Sequence, residues 1–320
     1  MLHAKTTVQK SAVKSGLRWS QALAFQQRVR EKPLVIVDWN GKLVSEAQAC
    51  LRVTGSPTRA SAGLYETLRT YQGQLYGLEE HLLRMNRSCA SIGIPPECTP
   101  DWKSRVLRVL NQNGLSSNEA RVRLVAYPAN GSEDGLTAVF AWPINQPELD
   151  QKRNRGITAI LASSHRLFGD PIFQIKSLNL LSTFLAIAEA KAAGADEAFF
   201  LNNLDELCEA TYGNIILVTD SSRLITPPIE SPCLPGITVK SVLQIAIENG
   251  FSCETRPISK DELLAADEIL VCSSVSEIVP VTKLAGKPIG GAVPGPVGRL
   301  LYHKFREFVK SSLVTCNVPG

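Results

Sequence analysis

The chain has 320 residues, of which 44% are hydrophobic and 20% are charged. These values are close to the globular average, so they disfavour intrinsic disorder, a collagen-like repeat and a long coiled coil. The 34 basic and 30 acidic residues give a net charge of +4, which is too small and too evenly spread to indicate a nucleic-acid partner. We expect a soluble, folded protein with room for two domains of ordinary size.

The eight cysteines include no C-x-x-C pair, and the four histidines show no metal-ligand spacing. No metal site is therefore predicted. Because no secretory leader is recognised ahead of them, we expect a reducing compartment and a cytoplasmic protein. No segment reaches the ~18 continuous apolar residues that a membrane span needs. Residues 1–30 are basic and contain no acidic residue, which slightly resembles a transit peptide, although a solvated helix from Ser20 to Arg30 is favoured.

The first half of the chain alternates strand and helix patterns. The predicted elements are a strand at Leu34 to Val37 that enters a turn at Asn40-Gly41, a strand at Leu64 to Tyr71 with a return at Gln74 to Tyr76, a helix with the apolar stripe Leu78, Leu82, Met85 and Cys89, a helix from Trp102 to Asn113, and paired strands at Ala120 to Tyr127 and Leu136 to Trp142. These elements predict an α+β domain.

The segment from Pro143 to Arg155 is polar and contains two prolines, so we place the connection between two domains there. The predicted division is a basic N-terminal extension at 1–32, an N-terminal α+β domain at 33–145 and a C-terminal α+β domain at 146–320. The elements expected in the second domain are strands at Ile157 to Ala162, Ala198 to Leu201, Ile215 to Val218 and Glu268 to Cys272, and helices at Leu178 to Ala193 (with Leu181, Leu185, Ala188 and Ala192 on one face), Thr238 to Asn249 and Pro296 to Val309.

Lys176 lies between a strand-like run, Ile172-Phe173, and the helix that begins near Leu178. The positive end of a helix dipole disfavours an ammonium group and so lowers the pKa of a nearby lysine. The neutral amine is the form that attacks a carbonyl in Schiff-base chemistry. From its position alone, a solvated surface lysine is the more common interpretation.

Other segments carry groups that could bind an anion. Leu234 to Thr238 precedes a helix and could hold a phosphate, although an ordinary helix cap explains the same residues. Cys272-Ser273-Ser274 offers hydroxyl donors or a simple turn, and Arg84, Arg121 and Arg123 could bind anions or lie on the surface. Glu209 belongs to an acidic segment, for which a solvated loop is the default interpretation. A functional role for this carboxylate is indicated only if it is buried and a cation faces it.

Several common catalytic motifs are missing from the sequence. It contains no G-x-G-x-x-G spacing, no P-loop and no G-x-S-x-G elbow. Dinucleotide-binding, nucleotide-hydrolysing and serine-hydrolase interpretations therefore lose support.

Seven segments, taken in order, carry a family resemblance. They are Gly63 to Arg69, Glu80 to Met85, Ile175 to Leu181, Glu209 to Asn214, Leu234 to Thr238, Ala266 to Val281 and Gly295 to Val297. Together they resemble the class IV, fold-type IV pyridoxal-phosphate aminotransferases, a family that includes branched-chain and D-amino-acid aminotransferases and aminodeoxychorismate lyase. The resemblance implies two domains with pyridoxal 5′-phosphate at their interface, and a homodimer.

The resemblance also implies roles for individual residues. Lys176 would form the Schiff base and move the proton, and Glu209 would keep the pyridine nitrogen protonated. Arg84, the backbone of Ile237 with Thr238, and Ser274 would bind the phosphate, with Asn214 supporting the site. The substrate-binding residues implied are Tyr65 and Arg123.

The substrate is less sharply indicated. Tyr65 resembles the substrate-side tyrosine of the D-amino-acid enzymes, but their Arg-x-His motif is absent and Arg121-Val122-Arg123 stands there. Arg123 falls where branched-chain enzymes have an arginine, while Leu181 replaces their tyrosine. We therefore expect an aminotransferase that moves an amino group between a branched-chain or D-amino acid and a 2-oxo acid. The alternatives are aminodeoxychorismate lyase and, less favoured, a non-catalytic protein of the same fold.

Overall fold

The computed structural model describes residues 36–51, 55, 63–94, 101–128 and 135–315. The expected basic extension at 1–32, with its helix, lies outside these residues. None of the helices in the described ranges combines the length and the apolar character that a membrane-spanning segment needs.

The first sheet has six antiparallel strands in the order β2-β1-β6-β5-β3-β4. Their bounds are β1 Ile36–Trp39, β2 Lys42–Ser45, β3 Leu64–Tyr71, β4 Gln74–Leu75, β5 Ala120–Tyr127 and β6 Leu136–Pro143. The turn between β1 and β2 has positive φ angles at Asn40 and Gly41, 49° and 80°, as a two-residue hairpin of type I′ requires. The hairpin and the strand pairs predicted in this half of the chain are present among the described residues, with β1 at Ile36–Trp39; Leu34 and Val35, where this strand was predicted to begin, lie outside them.

Two helices cover one face of this sheet: α1 Leu78–Ser91 and α2 Trp102–Gln112. Met85 and Cys89 of α1 and Val106, Val109 and Leu110 of α2 pack in one buried cluster with the sheet. The buried side of α1 also includes the polar residues His81 and Arg84. This helix therefore brings charged groups as well as apolar ones to the inner side of the sheet.

The second sheet has nine strands, eight of them in the order β12-β11-β10-β13-β14-β7-β8-β9, and β15 pairs with β14. The bounds are β7 Ile157–Leu161, β8 Glu197–Leu201, β9 Leu207–Ala210, β10 Asn214–Thr219, β11 Arg223–Thr226, β12 Ser252–Thr255, β13 Glu268–Ser273, β14 Glu277–Leu284 and β15 Lys287–Pro288. Three pairs are parallel, namely β11 with β12, β14 with β7 and β7 with β8.

Five further helices accompany this sheet. They are α3 Gln146–Arg155, α4 Leu181–Ala192, α5 Ile237–Glu248, α6 Lys260–Leu264 and α7 Pro296–Thr315. Val242 of α5 and Phe305 of α7 pack with Ile216 of β10 on one face, whereas Leu263 of α6 packs with Ile215 on the other. Alternate residues of β10 thus serve two cores, because successive side chains of a strand point to opposite faces.

The apolar face predicted for α4 is not its buried face. Leu181 and Leu185 are 63% and 55% exposed, whereas Thr183, Ala186 and Ala190 are buried. A helical period identifies the most apolar stripe, but here the small residues pack on the sheet and the large ones point outward. The fold therefore leaves an apolar helix face uncovered in the single chain.

The segment predicted as a polar connection, Pro143 to Arg155, contains α3. Pro147 lies in the first turn of this helix, where a missing N–H costs nothing, and Gly156, with φ 72°, follows its end. The helix buries Leu149 and Arg153. The division of the chain near residue 145 into two domains remains a prediction.

Candidate active site

Lys176 lies in an irregular segment between the two sheets. The strand-like run expected before it is a 3₁₀ turn, Pro171–Gln174, and α4 begins only at Leu181. The backbone carbonyl of Lys176 accepts a hydrogen bond from the Tyr65 N–H of β3 at 3.0 Å. The segment is thus attached to the first sheet, while α4, which continues it, packs on the second sheet through Ala186 and Ala190.

The amine of Lys176 has a lowered pKa. Burial and the positive charge of Arg84 lower the pKa of Lys176 to about 8, while Glu66 and Glu209 act in the opposite direction. The lowered pKa agrees with the expectation from the sequence, but its cause is different. The helix α4 begins five residues after Lys176, and the pKa is lowered by burial and by the charge of Arg84 instead of by the helix dipole. Near pH 8 a substantial share of this amine is neutral and nucleophilic.

Tyr65 forms one wall beside the lysine. Its buried ring has the Lys176 Nζ atom 4.8 Å from the ring centre and the Arg123 guanidinium carbon at 4.6 Å. Burial raises the pKa of the Tyr65 hydroxyl, so the phenol stays protonated and can donate a hydrogen bond. Tyr65 and Arg123 come from neighbouring strands of the first sheet.

Glu209 lies on strand β9, not in the solvated loop that was the default expectation. One oxygen accepts a hydrogen bond from Arg166 Nη1 at 2.7 Å and the other from the Leu234 N–H at 3.1 Å. Arg166 is 7% exposed and also donates to the Pro232 carbonyl at 2.7 Å. A cation, Arg166, therefore faces Glu209. This pair was not predicted from the sequence, because Arg166 and Glu209 are 43 positions apart.

The loop before α5 is fixed by close packing against Asn214. The side-chain amide of Asn214 donates to the Leu234 carbonyl at 2.7 Å. A Cβ atom at Gly236 would lie 1.8 Å from the Asn214 Oδ1 atom, so any larger residue here would displace Asn214 or the loop. The loop leads into Ile237 and Thr238, the first residues of α5, whose N–H groups have no acceptor within the helix. Such N–H groups favour an anion.

Arg84 is held beside this loop by Glu66. Its Nε and Nη2 atoms donate to the two Glu66 oxygens at 2.7 Å each, and its Nη1 donates to the Pro235 carbonyl at 2.8 Å. His81 Nδ1 lies 2.7 Å from Glu66, and its Nε2 lies 3.4 Å from the Ser274 hydroxyl. Burial raises the pKa of Glu66, but hydrogen bonds from Arg84 and His81 outweigh it and bring the pKa to about 2.

Glu66 and His81 had no role in the sequence analysis, although both lie inside segments that carried the resemblance. Their spacing along the chain does not indicate that Glu66, on a strand, will form hydrogen bonds with His81 and Arg84, on a helix. Their buried contact is a product of the packing of α1 on β3.

The site residues predicted from the sequence form two groups of contacts that are linked at the Lys176 amine, on which the charges of Arg84, Glu209 and Arg123 act. Ring contacts join Arg123 to Tyr65 and Tyr65 to Lys176. Hydrogen bonds join Glu209 and Asn214 to the 234–238 loop, and Arg84 to the same loop. Ser274 is connected through His81 and Glu66. An amine with a lowered pKa, a carboxylate and a set of anion donors are thus brought together.

This set of groups suits a ligand with a carbonyl, a ring nitrogen and a phosphate. The donors at Arg84, Ser274 and the start of α5 match a dianion. Gly236 lets Asn214 pack against the loop that leads into these donors, and Lys176 supplies the amine that a carbonyl needs. Pyridoxal 5′-phosphate has all three features.

Comparisons with known proteins agree with this chemistry. Residues 63–284 match the family model of amino-transferase class IV. A D-alanine aminotransferase of Bacillus licheniformis is 32% identical over 81% of this chain and 92% of its own length. A putative branched-chain-amino-acid aminotransferase of Methanocaldococcus jannaschii is 33% identical over 84% of this chain and 94% of its own length.

Solved structures resemble the fold as well. The branched-chain aminotransferase of Thermoproteus uzoniensis with norvaline has a TM-score of 0.77 and 27% identity, with 87% of this chain and 95% of that chain covered. The branched-chain amino acid aminotransferase of Thermobaculum terrenum in its PLP form has a TM-score of 0.76 and 25% identity, with 88% and 95% covered.

The chain belongs to the class IV aminotransferases. It is a pyridoxal-phosphate-dependent transaminase with the α+β architecture of fold type IV. The prediction of family, fold and enzyme class is confirmed, and the relatives compared above are named as aminotransferases and not as lyases.

Replacing Gly236 with alanine should weaken the binding of pyridoxal phosphate. The added Cβ would overlap Asn214, and overpacking of this kind costs ~1–3 kcal/mol, so we expect the affinity to fall by about tenfold or more. The measurement is a titration of the apoenzyme with the cofactor. Gly291→Ala is the matched control, because the nearest atom to its added Cβ is 3.7 Å away. Wild-type affinity in Gly236→Ala would contradict the assignment.

Proposed function

We propose that this transaminase exchanges an amino group between an amino acid, of branched-chain or D-amino acid type, and a 2-oxo acid, with Lys176 as the catalytic residue. The observation that carries this proposal is an amine with a pKa of about 8 beside a built anion site. When bound, pyridoxal phosphate supplies a ring that withdraws the electrons left at the substrate α-carbon. The chain's own residues supply binding, orientation and proton transfer.

Lys176 has two tasks. Its neutral Nζ atom would hold the cofactor through the carbonyl carbon, with the carbonyl oxygen lost as water. Once a substrate amine has taken its place, the freed amine would accept the α-proton of the substrate and return it. The second task needs a pKa close to the working pH, because the group must both take up and release a proton. A pKa of about 8 serves both.

Glu209 is proposed to bind the ring nitrogen. An ionised carboxylate has about four lone-pair positions, and two of them are taken by Arg166 and the Leu234 N–H. The remaining positions can accept a hydrogen bond from a protonated pyridine nitrogen. Arg166 fixes the orientation of Glu209 from the opposite side.

The phosphate is proposed to lie against Arg84, Ser274 and the start of α5. Arg84 has five N–H groups, of which three are directed to Glu66 and Pro235. The others remain for an anion, together with the N–H groups of Ile237 and Thr238 and the Ser274 hydroxyl. Asn214 holds the loop that presents them.

The substrate is proposed to bind beside Tyr65 and Arg123. A guanidinium binds a carboxylate strongly, and every amino acid and 2-oxo acid carries one. Around Tyr65, the side chains of Tyr127, Phe140, Leu178 and Leu180 are partly buried and apolar. These surroundings support a substrate with an apolar side chain, and the names of the relatives support both enantiomer classes.

Cys50, Cys208, Cys233, Cys253 and Cys272 form no disulfide with one another in the described part of the chain, and this supports the proposal of a cytoplasmic location. Burial raises the pKa of several of these thiols, including Cys272, which reaches about 12. Such thiols are inert small core residues. A reducing compartment suits them.

Lys176→Ala should abolish the covalent capture of pyridoxal phosphate on borohydride reduction. In the wild type, the capture rate should rise with pH and level off above about 8, because only the neutral amine reacts and the pKa of Lys176 is lowered from 10.5 to about 8. The measurement is mass spectrometry of the reduced protein across a pH series. Lys287→Ala, at an exposed position, should be labelled like the wild type. A rate that rises until pH ~10, or a label on another lysine, would contradict the assignment.

Purified enzyme should show a visible cofactor band that single amino acids bleach and a 2-oxo acid restores. A panel of L- and D-amino acids with apolar side chains, followed by absorbance, should give one active enantiomer class. The matching primary amines, which have no carboxylate, should leave the band unchanged because Arg123 has nothing to bind. A band that no amino acid bleaches, with pyruvate released from aminodeoxychorismate, would show a lyase. Absence of any band, even with added cofactor, would support the third alternative, a non-catalytic protein of the same fold.

The enzyme is also proposed to be a homodimer that covers the outer face of α4. This face exposes Leu181, Phe184 and Leu185, and the segment before Lys176 exposes Leu167 and Ile172. Large exposed apolar side chains mark an interaction surface, and a two-fold dimer pairs the same patch from both copies. The position of this surface next to the lysine segment supports a partner that completes the site.

Leu185→Asp should convert a dimer to a monomer, because a carboxylate cannot be buried at an apolar interface without a large cost. The measurement is the molar mass from sedimentation or light scattering. Ile247→Asp, on α5, is the control, since Ile247 is 61% exposed and Leu185 is 55% exposed. A wild-type monomer, or a dimer that survives Leu185→Asp but not Ile247→Asp, would contradict this interface.

A further inference from the structure

A buried charge cluster lies behind the turn that carries Ser274. We call it the Glu277 cluster; its members are Glu277, Arg69, Arg153, Arg306 and Glu119. Glu277 is fully buried and has a φ of 60°, an uncommon backbone conformation for a residue with a side chain. It is the first residue of β14, directly after the turn that follows β13. The reaction described above makes no use of this cluster.

One carboxylate in the cluster, that of Glu277, accepts three hydrogen bonds and forms one further ion pair. The Oε2 atom of Glu277 accepts a hydrogen bond from Arg153 at 2.7 Å and lies 3.3 Å from Arg69. Its Oε1 atom accepts from Arg306 at 2.9 Å and from the Tyr71 hydroxyl at 3.0 Å. Burial and the charge of Glu277 raise the pKa of Tyr71, so the hydroxyl remains a donor.

Two of these arginines also hold the turn. Arg69 donates from Nη1 to the Val275 carbonyl at 2.5 Å, and Arg153 donates from Nη2 to the Ser276 carbonyl at 3.3 Å. No described residue accepts a hydrogen bond from the amide N–H of Ser274 or Val275. Both carbonyls are thus drawn into the cluster, and two amides and a hydroxyl are left as donors for an anion.

The cluster joins the two sheets at this turn. Arg69 and Tyr71 belong to β3, which also carries Tyr65 and Glu66, whereas Glu277 belongs to β14. Arg69 is further fixed by hydrogen bonds to Glu119 and Gln146, the latter at 2.6 Å. The turn is therefore positioned by β3, the strand that also carries Glu66, the carboxylate paired with Arg84.

Stability alone is a weak reason for such a cluster. Desolvation of buried charges offsets most of the attraction between them, and apolar side chains of similar volume are often as stable. What the cluster provides is a fixed geometry, because planar guanidinium groups donate in defined directions. The residues that this geometry fixes are those of the turn.

We propose that Arg69, Arg153 and Glu277 are positioning residues that hold the 273–277 turn in the conformation that binds the cofactor phosphate. This inference rests on the proposed role of Ser274 and its turn. The three residues act through the turn and do not touch the phosphate themselves. Their effect is on how tightly the cofactor is held and not on proton transfer at Lys176.

Arg69→Lys tests the proposal. Lysine keeps the charge but cannot donate in a fork to Glu119 and to the Val275 carbonyl together. We expect the holoenzyme to release pyridoxal phosphate about tenfold faster, in line with the loss of one charge-assisted hydrogen bond. The ³¹P resonance of the bound phosphate should shift. With saturating cofactor, kcat should stay within about twofold, since Lys176 is untouched.

Arg306→Lys is the matched control. Arg306 pairs with the same two carboxylates, Glu277 and Glu119, but has no contact with the turn carbonyls. It should lower the thermal midpoint but change the release rate by less than about twofold, because Arg306 reaches the turn only through Glu277. Arg153→Lys, which loses the contact with Ser276, is a second test and should accelerate release in the same direction as Arg69→Lys.

Equal acceleration in Arg69→Lys and Arg306→Lys would show a general loss of stability and overturn the proposal. Wild-type release from both Arg69→Lys and Arg153→Lys would overturn it as well. The proposed function fails by a different result, namely a wild-type protein that borohydride does not label at Lys176. A labelled wild type with unchanged variants refutes only the positioning role.

Discussion

The site depends on one fully buried carboxylate, Glu66. It accepts hydrogen bonds from two nitrogens of Arg84 and lies 2.7 Å from His81. Without it, Arg84 would be a buried cation without a counter-ion, an arrangement that costs several kcal/mol. With it, Arg84 is fixed next to the loop that starts α5, and His81 is fixed next to Ser274. A strand of the first sheet thus sets the position of an anion site whose other donors belong to the second sheet.

Glu209 plays a parallel part on the second sheet. It is paired with Arg166, whose guanidinium lies 4.3 Å from the ring centres of Phe173 and Phe200. Each of the two carboxylates is therefore held by an arginine from another part of the fold, and the charges of both act on Lys176. Its chain segment is hydrogen-bonded to β3 and continues into α4 on the other sheet. The distances within the site are consequently set by the packing of two sheets and not by any one loop.

Local patterns were enough to predict β3 and the β1–β2 hairpin, because strand alternation and an Asn-Gly turn are properties of neighbouring residues. The order of seven short segments was enough to single out Lys176, Glu209 and Arg84. Arg166 could not be found this way, because its contact with Glu209 spans 43 positions and follows no spacing rule. The outward face of α4 was misjudged for a related reason. An apolar stripe has the same period whether it packs in a core or at an interface.

The pKa of Lys176 shows how these pieces act together. Burial disfavours the charged form of a lysine and lowers its pKa, by up to ~3–5 units for a fully buried group, and it is the largest of the effects on Lys176. Arg84 pushes in the same direction, whereas Glu66 and Glu209 oppose it, and the pKa comes to about 8. A group that must first attack as a free amine and then carry a proton needs a value near the working pH. The two carboxylates proposed to hold the anion site and to bind the ring nitrogen, Glu66 and Glu209, are therefore also the ones that raise the pKa of Lys176 and so keep it able to act as a base.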